Sequence, residues 1–329
     1  MPSLYTPLCD VLGIEAPVVQ APVGSVSTPA LAAAVADAGG LGTLAMSWRD
    51  EDAIRASFEA ATDRTDGVVG VNVVLDESTG ELSPGDCLDV CLDAGASVVS
   101  LSFGDPTPYV DRVHDAGGTV LVSVGCADEA RRAVDAGADV VVTQGSESGG
   151  HLQSDVTTMA LVPSVADAVD VPVVAAGGIS DGRGMAAALT LGADGAWLGT
   201  RFVATTESGA HPSYRRRIAA GSATETRRTE QFDVGWPDQP HRVLDVDDDI
   251  DAAHERDSPV ARRADGTPIA RDADLPPLAG MTGGVDALPH YAGQSAGGVE
   301  TVASAGEVVA SLVRETRATL DRTAERGHR

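Results

Sequence analysis

Short apolar runs recur along the chain, and each is followed by a longer stretch in which apolar residues return at helical spacing. Brief runs rich in Val, Leu and Ala are typical of buried parallel strands, whereas the longer amphipathic stretches are typical of surface helices. The predicted strands cover 17–21, 41–45, 67–74, 96–102, 119–124, 139–143, 171–175 and 195–198. The predicted helices cover 28–38, 51–61, 106–116, 128–136, 157–169 and 182–191.

Strands that alternate with helices in this way favour a closed (β/α)8 TIM barrel, in the α/β class, and an open doubly wound sheet is the alternative. No Gly-x-Gly-x-x-Gly sequence follows the first predicted strand, which weighs against a dinucleotide-binding sheet. The chain has 329 residues, more than the ~250 of a typical barrel. We therefore expect one barrel with a C-terminal extension packed on it.

The strand–helix rhythm stops near residue 207, and this gives the expected domain boundaries. We assign 1–207 to the barrel, 208–293 to an irregular extension over it, and 294–329 to a closing C-terminal helix. The extension is rich in Asp, Arg and Pro, and a short helix is expected over 212–220. Its acidic run 245–249 lacks the spacing of a calcium loop and is typical of a solvated surface.

The stretch Gln144 to His151 is the strongest candidate for chemistry. It contains three glycines and lies between a predicted buried strand and an amphipathic helix, in whose first turn Pro163 is expected. Loops after the strands of α/β barrels carry ligand sites, and glycine lets the backbone approach a ligand closely. His151 is the one side chain of this loop that titrates near neutrality, although a lone histidine in a loop is usually a solvated surface residue.

Polar and glycine signals also follow other predicted strands. Asn72 interrupts the apolar third strand near its carboxyl end, so it is either a structural bridge or a ligand contact, and its position favours the ligand contact. Gly177-Gly178 and Gly199-Thr200 follow strands seven and eight, where barrels commonly bind phosphate through backbone N–H groups. The combination suits FMN, with its phosphate at these glycines and its ring edge near Asn72 and Gln144.

Net charge restricts the partners. The chain carries 49 acidic and 23 basic residues, a net charge of −26, and every basic residue is arginine because the sequence contains no lysine. Such a surface repels nucleic acid and anionic membranes, so neither is expected as a partner. An apolar content of 43% excludes a disordered acidic chain. We interpret the surface as an adaptation to high salt, which screens the self-repulsion.

The remaining bulk features point to a cytoplasmic protein. No apolar run approaches the ~20 residues of a membrane span, and the N-terminus lacks the pattern of a secretory signal. The four cysteines have no Cys-x-x-Cys spacing, and Cys87 and Cys91 lie four apart on a probable helix face. We therefore expect neither structural zinc nor a disulfide framework. The oligomeric state stays open, with a homodimer as one alternative.

At this point the residues carry a family resemblance. The chain resembles the nitronate monooxygenases, formerly called 2-nitropropane dioxygenases, which are FMN-dependent barrels related to the flavin-type enoyl-ACP reductases. The matching stretches are Gln20-Ala21-Pro22, 31–42, Gly70-Val71-Asn72, 102–106, 144–151, 171–184, 199–202 and 291–297. The resemblance spans nearly the whole chain, and its motifs together are specific to this superfamily.

The resemblance implies a function and a site. His151 would act as base or orienting group beside FMN, and a nitronate would be oxidised with O2 to a carbonyl compound and nitrite without a metal. A raised pKa of His151 would favour binding an anionic nitronate, whereas a neutral His151 would be the base for a nitroalkane. The expected cofactor-binding residues are Ala21, Pro22, Val23, Asn72, Gln144, Gly149, Gly150, Gly177, Gly178, Gly199 and Thr200.

Three departures from the family pattern put the identity of the substrate in doubt more than the binding of FMN. Val23 replaces a usual methionine, Thr119 replaces a common lysine, and Leu152-Gln153 follow His151 where Arg or Thr and then Gly are usual. An NAD(P)H-dependent flavin enoyl reductase is the first alternative function, because 148–151 and 157–162 resemble that branch. A flavin-binding barrel without turnover, which stores or senses the cofactor, is the second.

Overall fold

The computed structural model describes residues 4–245 and 258–327, and it has the predicted barrel. Eight parallel strands form one sheet, in which each strand pairs with its neighbours in register. The barrel closes because Val19 of the first strand bridges Leu41, immediately before the second. The strands are β1 (Val18–Gln20), β2 (Gly42–Ala45), β3 (Val69–Val74), β4 (Val98–Ser102), β5 (Thr119–Val124), β6 (Val140–Gln144), β7 (Val173–Ala176) and β8 (Gly195–Leu198).

Helices separate the strands and cover the outside of the barrel. They are α1 (Pro7–Leu12), α2 (Pro29–Asp37), α3 (Glu51–Thr62), α4 (Pro84–Asp93), α5 (Thr107–Asp115), α6 (Ala127–Asp135), α7 (Thr158–Ala166), α8 (Gly182–Thr190), α9 (Thr200–Val203), α10 (Pro212–Ala220) and α11 (Ala305–Gly327). Thr28 caps α2, since its hydroxyl accepts the Leu31 N–H at 3.0 Å. The predicted elements are therefore present, with ends displaced by a few residues.

Branched aliphatic side chains build the barrel interior because parallel strands are buried on both faces. Leu121, Val140 and Val174 from neighbouring strands belong to one buried cluster. Leu8 and Leu12 of α1 join this cluster, and Leu8 approaches Gly195 at the start of β8. The amino-terminal end of the barrel is thus closed by apolar packing, which leaves the carboxyl ends of the strands for a site.

Pro163 was expected in the first turn of its helix, and this expectation was wrong. It is the sixth residue of α7, because the helix already begins at Thr158. The Glu147 carboxylate accepts both the backbone N–H and the hydroxyl of Thr158, at 2.8 and 2.9 Å. This acidic cap satisfies an otherwise unpaired donor at the helix start and ties α7 to the 144–151 loop.

The closing helix α11 packs on the barrel, as predicted. Val308, Val309 and Leu312 are buried in a cluster with side chains of α8, such as Met185. The two helices approach so closely that a Cβ on Gly182 would lie 2.4 Å from the Thr316 nitrogen. A glycine at this position is therefore required for the helix contact.

The segment expected to be irregular contains ordered strands. Strand Thr226–Thr229 pairs with His241–Leu244, and Pro259–Arg262 pairs with Pro268–Ala270 and Thr282–Gly283. The sequence pattern did not show them because they are only two to four residues long. Of the acidic run 245–249, only Asp245 lies within the described residues.

Cys87 and Cys91 lie on α4, as expected, and both are buried against the barrel. All four cysteines are free thiols. No helix in the described parts of the chain is long and apolar enough to cross a membrane.

Candidate active site

A cavity of about 520 Å³ lies at the carboxyl ends of the barrel strands. This volume falls within the range of small-molecule sites, which is about 300–1,000 Å³. Every residue that the sequence nominated lies on its wall, so the structure brings together segments that are far apart in the chain. They are Ala21, Pro22, Val23, Asn72, Gln144, Gly149, Gly150, His151, Gly177, Gly178, Gly199 and Thr200.

One end of the cavity is lined by backbone donors. The N–H groups of Gly177, Gly178, Gly199 and Thr200 donate to no other described residue. Gly177 and Gly178 have φ angles of +113° and +71°, a conformation that L side chains rarely adopt. Free backbone donors converging after β7 and β8 are suited to bind a phosphate, which is the anion that FMN would place there.

Two glycines on the cavity wall differ in the space that a side chain would find there. A Cβ on Gly199 would project beside Ala21 and Val23 at ordinary contact distances of 3.5 and 3.6 Å. A Cβ on Gly149 would instead collide with the backbone at Gly293, 2.3 Å away. A Cβ would therefore fit at Gly199, beside two residues of the cavity wall, whereas glycine at 149 lets the 144–151 loop pack against the segment that carries Tyr291.

Asn72 has the structural role that the sequence gave as one of two alternatives. Its side-chain nitrogen lies 3.2 Å from the Ser100 carbonyl oxygen and 3.2 Å from the Ser102 hydroxyl, so it bridges β3 to β4. The residue is buried, yet it lines the cavity. The bridge restricts the orientation of the amide, and its contact with a ligand stays a prediction.

Gln144 organises the loop that follows it. Its side-chain nitrogen donates to the His151 carbonyl at 3.0 Å, and its side-chain oxygen accepts the Gln153 N–H at 2.8 Å. The sequence predicted a contact between this amide and the flavin ring edge. In the structure each end of the amide makes one hydrogen bond to the backbone around His151 and the residue lines the cavity, so the flavin contact stays a prediction.

His151 is held by a strand pair that the sequence did not predict. Gly150–His151 pairs antiparallel with His241 and Arg242 of the extension, and Leu152 donates its N–H to the Pro240 carbonyl. The segment after the barrel therefore sets the position of the loop. This placement could not be inferred from local pattern, because the partners are about 90 residues apart.

Aromatic rings surround the His151 imidazole. The ring of Trp236 lies 4.2 Å from it, centroid to centroid, and those of His241, Tyr291 and Phe103 lie 5.4, 5.6 and 6.4 Å away. Burial in this apolar setting, and secondarily the neighbouring His241, lowers the pKa of His151 to about 3. The imidazole is therefore neutral at physiological pH, which is the form that can accept a proton.

Sequence reasoning missed four residues of this site. Phe103 and Tyr291 belong to stretches that carried the family resemblance, but no role was given to them. Phe103 has a φ of +59°, unusual for a bulky residue and a mark of a constrained loop. Trp236 and Asp274 lie in the extension, where no periodic signal exists, and only the folded chain shows them on the cavity wall.

Two arginines, Arg49 and Arg263, line the cavity of this strongly acidic chain. Arg49 is half-buried, and it donates to the Ala45 carbonyl and the Ser57 hydroxyl, both at 3.0 Å. Their positive charge favours an anionic ligand. No group of three or more His, Cys, Asp or Glu side chains in the described residues is placed to hold a metal ion.

The fold, together with the match to a family model and to solved structures, makes the chain an FMN-dependent (β/α)8-barrel oxidoreductase, and the cavity at the carboxyl ends of the strands is the candidate cofactor site. The chain belongs to the nitronate monooxygenase family, whose model matches residues 5–82 and 81–315. The residues present fit FMN, because backbone N–H groups that make no other hydrogen bond to the described residues follow β7 and β8, where a phosphate could bind, and aromatic rings lie beside His151.

Two solved structures and one curated relative show how close the likeness is. FabK from Thermotoga maritima is 30% identical with a TM-score of 0.81, over 99% of both chains. The nitroalkane oxidase from Streptomyces ansochromogenes is 32% identical with a TM-score of 0.78, over 97% of this chain and all of the other. A third protein, the (3aS,4S,5R,7aS)-5-hydroxy-7a-methyl-1-oxo-octahydro-1H-indene-4-carboxyl-CoA dehydrogenase of Rhodococcus jostii, is 38% identical over 75% of this chain and 67% of its own length.

Proposed function

We propose that this protein oxidises alkyl nitronates, and nitroalkanes once they are deprotonated, with O2 to a carbonyl compound and nitrite. The observation that carries the proposal is the neutral, buried His151 on the wall of the cavity that is suited to FMN. FMN, when bound, supplies the redox chemistry. The protein residues bind the cofactor, orient the nitro compound and move one proton.

The proton step follows from the state of His151. A nitroalkane loses the proton on the carbon next to its nitro group, and the electron pair stays on the nitronate that forms. The neutral imidazole accepts this proton, and general bases of this kind contribute typically ~10²–10⁴-fold. Arg49 and Arg263 on the cavity wall favour the nitronate, since it is an anion.

The remaining residues hold the ligands and limit the entry of water. The free N–H groups of Gly177, Gly178, Gly199 and Thr200 are suited to the FMN phosphate. Trp236 and Phe103 pack edge to face at 4.8 Å beside His151. This aromatic cover keeps the imidazole desolvated, which is the condition that holds its pKa low.

A second candidate is oxidation or reduction next to a thioester carbonyl. It is favoured by the 38% identity to the CoA-ester dehydrogenase of Rhodococcus jostii. A thioester, like a nitro group, acidifies the neighbouring carbon, so the same histidine base serves both substrates. The arginines of the cavity wall would then meet the phosphate groups of the ester tail.

The deciding experiment compares two half-reactions of the holoprotein in molar salt. Nitrite release from propyl nitronate in air, with slow anaerobic reduction of the flavin by NADH and NADPH, is the expected result. Rapid anaerobic reduction without nitrite release would favour the enoyl reductase alternative. Bound FMN that gives no nitrite from propyl nitronate and is not reduced by NADH or NADPH would identify a non-catalytic flavin-binding barrel.

A further inference from the structure

A buried carboxyl group lies beside the imidazole of His151. Asp274 Oδ2 is 3.6 Å from His151 Nε2, and the two side chains are 6% and 12% exposed. His151 Nε2 is buried and makes no hydrogen bond within 4–245 and 258–327, the residues that the structure describes. The other carboxyl oxygen of Asp274 accepts the Tyr291 hydroxyl. Asp274 thus has one oxygen held by Tyr291 and the other facing a buried imidazole nitrogen that makes no hydrogen bond to the described residues.

The backbone holds Asp274 in this place. Its N–H donates to the Val234 carbonyl at 2.9 Å, and the Val234 N–H donates to the Asp272 carbonyl at 3.0 Å. Tyr291 is held independently, because it bridges Val243 in the strand next to His151. The carboxyl group therefore approaches the imidazole from a segment that is separately anchored.

The other groups around His151 cannot replace this carboxylate. His241 packs on the ring at 5.4 Å, and Trp236 and Phe103 contact it without charge. Burial raises the pKa of Tyr291 well above its usual range, so this phenol stays neutral. Among the described groups that face the ring, Asp274 alone can be negatively charged at neutral pH.

We propose that Asp274 is a positioning residue that keeps the His151 proton on Nε2 and leaves Nδ1 unprotonated toward the cavity. A carboxylate beside one imidazole nitrogen selects the tautomer in which that nitrogen carries the proton. Nδ1 then accepts the substrate proton, and the imidazolium that forms is stabilised by the carboxylate at Nε2. This role rests on the proposed function of His151 as a base.

The arrangement gives the tautomer a pH dependence. Burial raises the pKa of Asp274 to about 6, although the Tyr291 hydroxyl opposes this shift. Above that pH the carboxylate accepts from Nε2–H. Below it the carboxylic acid donates to Nε2, and the proton of the neutral ring moves to Nδ1, so the base is blocked without becoming charged.

The test is nitrogen-15 NMR of the histidine rings in the FMN-loaded protein between pH 5 and 8. His151→Asn identifies the His151 signals by their loss. We expect an unprotonated Nδ1 at pH 8 and an exchange of the two ring signals with a midpoint near 6. Asp274→Asn should make the His151 signals independent of pH, and Tyr291→Phe should raise the midpoint, because the phenol no longer favours the carboxylate.

Asp286→Asn is the matched control, since Asp286 lies 3.8 Å from Nε2 of another buried histidine, His290. It should leave the His151 signals unchanged. A wild-type tautomer that does not change with pH, or one that still changes in Asp274→Asn, overturns the proposal. The tautomer exchange supports it even where nitrite release fails, and that failure would then refute the proposed function alone.

Discussion

At the scale of the residue, His151 is defined by the loss of water around it. The nearby rings and the pairing with the extension desolvate the imidazole, and the low pKa follows from this burial. A base in such a place is always unprotonated at working pH. Its effect on rate therefore depends on where it points and less on titration of the ring.

Replacing His151 by Asn tests its chemical role. The turnover of a neutral nitroalkane should fall by ~10²–10⁴-fold, because the proton acceptor is lost. A preformed nitronate has already lost that proton and should be affected less. Steady-state nitrite release on both substrates measures the two losses. Equal losses of turnover on the nitroalkane and on the nitronate would mean that His151 orients the substrate and is not a base. Loss of bound FMN together with activity would mean that its role is structural.

The pKa shifts of His151 and Asp274 predict opposite pH dependences of stability. The folded state binds a proton at His151 only near pH 3 instead of 6.5, so stability is lost as pH falls through this window. The folded state keeps the proton of Asp274 up to a pKa of about 6 instead of 3.8, so stability is lost as pH rises from about 4 to 6. In the wild type the two slopes oppose each other between about pH 4 and 6.

Asp274→Asn should therefore uncover the slope of His151. We expect its free energy of unfolding to rise more steeply than that of the wild type between about pH 4 and 6. Urea unfolding in molar salt at several pH values measures the difference. Parallel profiles for the two proteins would mean that the Asp274 carboxyl group titrates as in water.

At the scale of the element, the loops after β7 and β8 hold the phosphate in our interpretation. Gly199→Val should yield folded but colourless protein, since its φ of −101° strains no side chain and the new side chain would lie beside Ala21 and Val23 on the cavity wall. Flavin absorbance per protein measures the result. Gly306→Val, at an open position in α11, should keep its flavin. Stoichiometric FMN in Gly199→Val would place the phosphate elsewhere.

The extension is attached to the barrel partly through Trp236. This side chain is 2% exposed, and its indole N–H donates to Asp76 Oδ2 in the loop after β3 at 2.8 Å. Trp236→Ala should cost ~3–5 kcal/mol of stability. Trp48→Ala, at a neighbouring ring that is 39% exposed, should cost much less. Similar losses in denaturant unfolding would show that the contact contributes little.

At the scale of the whole molecule, the net charge of −26 dominates. In dilute buffer the Debye length reaches ~30 Å, so carboxylates repel each other across the surface, whereas molar salt reduces it to ~3 Å. We expect the fold to depend on molar salt. Circular dichroism during dialysis into dilute buffer measures this, and an unchanged spectrum would contradict it.

The periodic pattern was sufficient to predict the barrel because each strand and each helix has its own local pattern of apolar residues. Val-rich runs such as 140–142 must be buried on both faces, and their alternation with helices leaves few topologies. The same topology places the carboxyl ends of all the strands at one face of the barrel. Asn72, Gln144 and Gly177 could therefore be assigned to one site from the sequence alone. Short strands of the extension carry too few residues for a period to appear.

The sequence by itself determined the barrel, many of the residues at its carboxyl end and the charge of the surface, since these follow from local periodicity, topology and composition. Only the tertiary structure decided which partners His151 has. Asp274 and Trp236 lie 123 and 85 residues after it in the chain, and pairing between distant segments leaves no local pattern to read. Burial then set the protonation of His151, because desolvation exists only once those segments have met.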